Sequence, residues 1–245
     1  MENATTMGTN RTGFEMAGEQ GEEALAYAKS NCGNAPPDNG DFAEMHRIAV
    51  EEADRIGSVP IPGTIKGMAK TGLAKLTGDK PEVLIDKLGE RLAFERSGAR
   101  LYEALILKCR AAPREATDGL GGVDLARLEQ IRAEEEGHFR LVSQAMLDLG
   151  ADPTAMTPCA DVAGVMSMGL LKTITDPRTT VPQSLQAILT AELVDNAGWE
   201  LLIELAGELG HDDMAARFGE ALRAEQEHLA TVKEWLRTAV VAEAS

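Results

Sequence analysis

The sequence predicts an all-α protein: a four-helix bundle of two antiparallel helical hairpins joined by a long crossover, preceded by a helical extension. Three observations lead there. Beyond Lys80 the composition is dominated by Ala, Leu, Glu, Arg and Lys, with little alternating β-branched pattern. Four stretches place apolar residues at alternating steps of three and four, the spacing of a helical seam. Prolines and glycines punctuate the chain between those stretches.

The chain has 245 residues, enough for one main domain plus an extension. Lys and Arg total 24 against 40 Asp and Glu, a net charge of −16. Such a field repels nucleic acid and anionic membrane and attracts cations. No run approaches the ~20 apolar residues of a membrane span, and the start lacks a basic, then apolar, then small-residue pattern, so a cytoplasmic protein is expected. Cys32, Cys109 and Cys159 are odd in number and far apart, which suggests neither a disulfide framework nor a zinc knuckle. Cys109 is expected to be a small core residue.

In chain order, residues 1–40 are rich in Gly, Asn, Thr and Glu, lack an apolar period and contain Pro36-Pro37; a flexible arm is expected. Residues 41–80 are expected to be a short helical extension packing on the bundle. Within it, one helix spans Asp41 to Ile56, capped by Asp41 and with Met45, Ile48 and Ala49 on one side. After Pro60 and Pro62, Thr64 to Leu76 form a short basic amphipathic helix.

The bundle is expected over 81–245. Its first helix runs from Pro81 to Arg110, with a seam of Ile85, Leu88, Leu92, Glu95, Ala99, Tyr102, Ile106 and Cys109. A connection containing Pro113 and several glycines returns the chain into a second helix, Val123 to Leu149, ended by Gly150. Residues 151–181 are a crossover with an apolar, potentially helical piece from Val162 to Ile174. The third helix opens near Pro182 and lasts to Leu209, with Leu185, Ile188, Glu192, Asp195, Trp199 and Leu202 on its seam. Gly210-His211-Asp212 reads as a tight turn, Gly capping one helix and Asp the next.

One motif organises the rest. Arg132 to His138 reads Arg-Ala-Glu-Glu-Glu-Gly-His, and Arg223 to His228 reads Arg-Ala-Glu-Gln-Glu-His; each contains Glu-x-x-His. Residues three apart share a helical face, so Glu135 with His138, and Glu225 with His228, each present an oxygen and a nitrogen to a common point. A single such pair on an acidic helix is more often an accident of a solvated face. Here both interrupt apolar seams: Leu128, Ile131, Val142, Ala145 and Leu149 flank the first, and Met214, Phe218, Ala221, Val232 and Trp235 flank the second.

An internal repeat reinforces the pattern. Glu95, Tyr102 and Glu103 match Glu192, Trp199 and Glu200 at an offset of 97, and the two Glu-x-x-His pairs match at 90, so a pseudo-twofold bundle is expected. Four inward carboxylates with no Lys or Arg partner on the seams would cost several kcal/mol each, against a total stability of roughly 5–15 kcal/mol. Two divalent ions supply the missing charge. The mixed oxygen and nitrogen shell favours iron or manganese over copper.

At this point the chain resembles the ferritin-like superfamily over about 82–150 and 183–238, with Glu95-x-x-Gly98-x-x-x-Tyr102 and the paired Glu-x-x-His similar to bacterioferritins and rubrerythrins. The resemblance implies a carboxylate-bridged pair of irons, manganese being the alternative, that reacts with dioxygen or peroxide. Glu95 and Glu192 would each serve one ion, Glu135 and Glu225 would bridge, and His138 and His228 would be terminal. Asp195 stands where rubrerythrins carry an additional carboxylate. Glu136 occupies the position of the haem-ligating Met of bacterioferritins, so no haem is expected. The iron-binding Cys module of many rubrerythrins is missing, so an external electron donor is expected.

Tyr102 and Trp199 either hydrogen-bond ligands and carry electrons or simply close the site as large core residues. Gly98, Gly137 and Gly198 would leave room for a bound molecule, allow a helix bulge or permit close packing. The expected function is a ferroxidase- or peroxidase-type oxidoreductase of oxidative stress, with a homodimer as the expected assembly. Oxidation of an organic substrate and non-enzymatic iron storage or delivery are the alternatives.

Overall fold

Capping residues set the helix boundaries in the computed structural model, which describes residues 13–31, 40–61, 80–112 and 122–244. Seven α-helices and no strand occur among them. The chain divides into two units, 4–55 and, together with 1–3, 56–245.

The first unit holds a helix where the sequence shows no apolar period. A 3-10 turn, Phe14–Ala17, leads into α1, Glu19–Asn31. Its only buried residue is Gly21, so no apolar stripe was there to be seen; Ala24, Ala26 and Ala28, with Leu25 and flanking Glu, supply intrinsic propensity instead. Helix α2, Gly40–Glu52, begins one residue earlier and stops four earlier than expected, so Asp41 lies in its first turn rather than capping it. Met45 and Ile48 are exposed. Val59 packs with the bundle, and the helix expected over 64–76 lies outside the described residues.

Four long helices and one shorter one build the second unit: α3 (Pro81–Ala111), α4 (Leu125–Leu149), α5 (Pro158–Thr175), α6 (Val181–Glu208) and α7 (Asp212–Glu243). Helix α4 packs along α3, and α7 along α6. Their connections are short beside helices of 25 to 32 residues, so each pair is an antiparallel hairpin. Asp124 starts α4 by accepting the Ala126 N–H at 2.9 Å, two residues later than the apolar pattern suggested. Thr180 and Gln183 close a capping box at the start of α6. At the α6–α7 turn Gly210 takes the left-handed φ of 74°, one residue beyond the cap at Leu209, and His211 rather than Asp212 caps α7.

The crossover is more regular than expected. Helix α5 fills 18 of its residues and packs against α3 and α6. Thr157 caps it, and Asp86 of α3 accepts the Cys159 N–H at 2.9 Å, which ties the start of α5 to the bundle. Gly89 permits this approach, because a methyl there would run into the Thr157 hydroxyl. Gly89→Ala is therefore expected to destabilise the fold by about 1–3 kcal/mol. Gly137→Ala meets nothing within 4 Å and is expected to stabilise it by up to about 1 kcal/mol. Thermal unfolding of the two variants checks the opposite signs.

Two apolar clusters fill the bundle. One gathers Leu101, Tyr102, Leu105, Leu128, Ile131, Leu185, Ile188, Val232 and Trp235; the other gathers Leu84, Leu88, Leu92, Val142, Met146, Trp199, Leu202, Met214 and Phe218. Between them, in sequence on every long helix, lies a polar layer. Cys109 is buried as expected, and burial pushes its thiol up to about 11. No helix among the described residues is long and apolar enough to cross a membrane.

Candidate metal centre

The polar layer is the set of residues singled out by spacing. Glu95 comes from α3, Glu135 and His138 from α4, Glu192 from α6, and Glu225 and His228 from α7; all are buried, and Glu95, Glu225 and His228 have no exposed surface at all. Three overlapping groups bring their ligand atoms within 4.8 Å of one another: Glu135, Glu192, Glu225 and His228; Glu95, His138 and Glu225; and Glu95, Glu135, Asp195 and Glu225. Glu225 belongs to all three and Glu135 to two. The two groups that contain a histidine thus share Glu225, and the third, which has none, joins Glu135 of one to Glu95 of the other.

His138 Nδ1 stands 2.5 Å from Glu225 Oε1 and 3.8 Å from Glu95 Oε2. Despite the short distance, neither His138 Nδ1 nor Glu225 Oε1 has a hydrogen-bond partner with acceptable angles. Both oxygens of Glu95, both of Glu135 and Glu192 Oε2 are likewise buried without a partner. Uncompensated buried carboxylate oxygens cost several kcal/mol per ionised group, so so many lone pairs converging on one place fit a cation. Hard carboxylate oxygens with two imidazoles suit divalent iron or manganese.

The second imidazole is oriented from outside. His228 Nδ1 lies 3.1 Å from Glu225 Oε2 and 3.4 Å from Glu135 Oε1, while Nε2 is 2.7 Å from Glu134 Oε2. Glu134 also accepts from Gln130 and pairs with Arg127. With Nε2–H donating to Glu134, the Nδ1 lone pair faces the cavity, which is the role an outer carboxylate plays for a ligating histidine. The sequence reading missed Glu134 because it sits inside the run Glu134-Glu135-Glu136; its signal is that it directly precedes an inward ligand.

Arg91 is the larger omission. The residue is 3% exposed, and its guanidinium donates to the Asp195 carbonyl at 2.9 Å and to the Asp195 carboxylate and lies 3.4 Å from Glu95 Oε1. The expectation of carboxylates with no basic partner is thus corrected: the layer holds five buried carboxylates, Asp195 included, and one buried cation. Arg91 sits one turn before Glu95 and adjoins the seam residue Leu92, which was the available signal. Asn196 was missed as well; its amide donates to the Glu192 carbonyl at 2.9 Å and the Glu225 carbonyl at 3.1 Å, joining α6 to α7.

Tyr102 and Trp199 occupy related positions but act differently. Tyr102 donates its hydroxyl to Glu192 Oε1 across the bundle. Trp199 packs edge-on against His138 at 5.6 Å and against Phe218 at 5.3 Å, and its indole N–H has no partner. The glycines make room for protein groups: a methyl at Gly98 would strike Glu135 Oε2, and one at Gly198 would strike the Arg91 guanidinium. Ala normally gains up to about 1 kcal/mol over Gly inside a helix. At Gly98 the sign should reverse, and Gly98→Ala is expected to weaken divalent-ion binding about tenfold or more by displacing a shared carboxylate. Calorimetric titration with Mn²⁺ checks this.

Without ions, the electrostatics record crowding. Burial pushes the Glu95, Glu135 and Glu192 carboxyls well above the ordinary range, and neighbouring carboxylates push the same way. Asp195 is raised by burial to about 7, with Arg91 opposing. Burial also disfavours the Glu225 anion, but the close approach of the His138 and His228 imidazoles outweighs it and holds that carboxyl at about 2. Burial lowers His228, yet Glu225 more than compensates, and the imidazole rises to about 9.

A family model described as Ferritin-like domain matches residues 122–240, which takes in Glu135, His138, Glu192, Glu225 and His228. No curated protein and no solved structure matches the chain.

Proposed function

We propose, because residues 122–240 match the Ferritin-like domain model within an all-α bundle, that the chain is a di-iron or iron/manganese carboxylate oxidoreductase that reduces peroxide or dioxygen. The observation that carries this is that Glu225 belongs to both groups that contain a histidine, while a third group joins Glu135 of one to Glu95 of the other. In this reading Glu95 and His138 would hold one ion, Glu192 and His228 the other, and Glu135 and Glu225 would serve both. Two ferrous ions would supply the two electrons that, with two protons, reduce one peroxide to two waters.

The chain's own residues set the conditions. The apolar clusters above and below the layer exclude water, which strengthens every charge interaction within it. Tyr102 holds a proton on its hydroxyl against Glu192, and burial first, then the Glu192 charge, keeps that phenol from ionising. Glu134 fixes the His228 tautomer. An external donor would restore the reduced state.

A substrate-oxidising role would call for an apolar cavity beside the six residues. An apolar cavity of about 420 Å³ lies near the end of α3, lined by Ala104, Leu107, Ala111, Ile174, Pro177 and Val181 among others, and none of the six borders it.

Anaerobic loading with Fe²⁺ followed by stopped-flow mixing with hydrogen peroxide tests the proposal. Near-ultraviolet absorbance should rise in a fast phase that ends at one peroxide consumed per two irons. Oxidation no faster than that of free Fe²⁺ in the same buffer would overturn it.

A further inference from the structure

We infer that Arg91 is a positioning residue of the proposed centre: it holds Asp195 outside the ion shell and fixes the charge the cavity requires at that of two divalent ions. The inference rests on the di-metal reading above and concerns what that reading leaves open, the part played by the fifth carboxylate.

Asp195 is close enough to be a ligand, since one of its oxygens falls within 4.8 Å of those of Glu95, Glu135 and Glu225. Arg91 competes for it. The guanidinium takes both the side chain and the main-chain carbonyl of Asp195, a two-point hold that a single ion contact does not offer. The pocket around Arg91 is built for it: Phe94 lies under the guanidinium with its ring centre 4.4 Å away, and Gly198 leaves the space its Nη1 fills.

The internal repeat shows that the pair is an addition. At the offset of 97 that matches Glu95 with Glu192, Arg91 falls on Ile188 and Asp195 on Gly98. The ion ligands are present in both halves, whereas the arginine and the extra aspartate each occur once, on opposite hairpins, and meet. Five buried carboxylates against one buried guanidinium leave four negative charges. Two divalent ions balance that number, and a bare fifth carboxylate would unbalance it.

Mn²⁺ titration calorimetry on the full chain, with the ligand-field spectrum of the Co²⁺-loaded protein as a second readout, tests this. Circular dichroism of each variant confirms folding. Arg91→Gln releases Asp195 and adds net negative charge, so affinity should rise about tenfold or more, and the Co²⁺ bands should weaken as coordination number increases. Asp195→Asn should keep two ions per chain with reduced affinity. The double variant restores the charge and should return within about threefold of wild type. Arg91→Lys keeps the charge and should stay within the same range, which preserves the test if the glutamine variant does not fold. Loss of one ion in Asp195→Asn, or a double variant no tighter than Asp195→Asn, would make Asp195 a ligand and overturn the inference. A wild type that binds no ion pair would instead remove the di-metal reading on which it rests.

Discussion

Glu225→Ala is expected to abolish binding of both ions, whereas Glu95→Ala or Glu192→Ala should remove or weaken one. The asymmetry follows from geometry. Glu225 contributes to every group of ligand atoms in the layer and touches both imidazoles, at 2.5 Å from His138 and 3.1 Å from His228. Its loss leaves each cluster one oxygen short and removes the carboxylate that both histidines share. A combined drop of at least about 100-fold per site follows from removing a charged shared ligand in a water-excluded cavity. Glu225→Gln separates charge from shape: it keeps an oxygen but not the anion and should still lose most of the affinity. Metal content by mass spectrometry, taken with circular dichroism to establish that the bundle persists, reads the result. Retention of one tightly held ion in Glu225→Ala would show that the clusters are independent.

A second large effect concerns pH. In the ion-free chain Glu95, Glu135 and Glu192 titrate well above their ordinary 4.5, so the folded state binds more protons than the unfolded one at neutral pH. Stability then falls as pH rises. Asp195, raised from 3.8 to about 7, acts in the same direction, as does His228, whose contribution is present below 6.5 and lost as pH climbs through about 9. Glu225 opposes them only in acid, its contribution being complete above 4.5 and lost as pH falls toward about 2. Ions displace the cavity protons, so the loaded protein should not share the decline. Between about pH 5 and 8 the melting temperature of chelator-treated protein should drop by about 5 °C or more while that of Mn²⁺-loaded protein holds or rises. A gap that stays constant over that range would contradict the assignment of the buried carboxylates to cations.

Much of the bundle was legible because its helices are amphipathic and its functional groups interrupt apolar seams. A glutamate at a core position of α3 or α6 is conspicuous when Leu88, Leu92, Leu185 and Ile188 surround it. Helix α1 was not legible, since it buries only Gly21 and so leaves no periodic trace. The start of α4 depended on a cap, Asp124, more than on the apolar pattern that began at Val123.

Within the site, spacing identified the inward pairs but not what holds them. Arg91 and Asp195 are 104 residues apart and meet only because α3 and α6 pack together. Glu134 lies beside a ligand in sequence yet serves a histidine 94 residues away. The glycines show the same limit: Gly98 and Gly198 are occupied by Glu135 and Arg91, side chains from other helices, while Gly137 faces open space. Pair spacing along one helix reads the ligands, and only packing between helices reads their supports.

The central claim is that two cations share Glu135 and Glu225. Anomalous scattering from crystals grown with Mn²⁺ measures this directly. The account predicts two peaks per chain, one beside Glu95 and His138, the other beside Glu192 and His228, with both shared carboxylates between them. A single peak, or none in the layer with the carboxylates paired among themselves through protons, would contradict it.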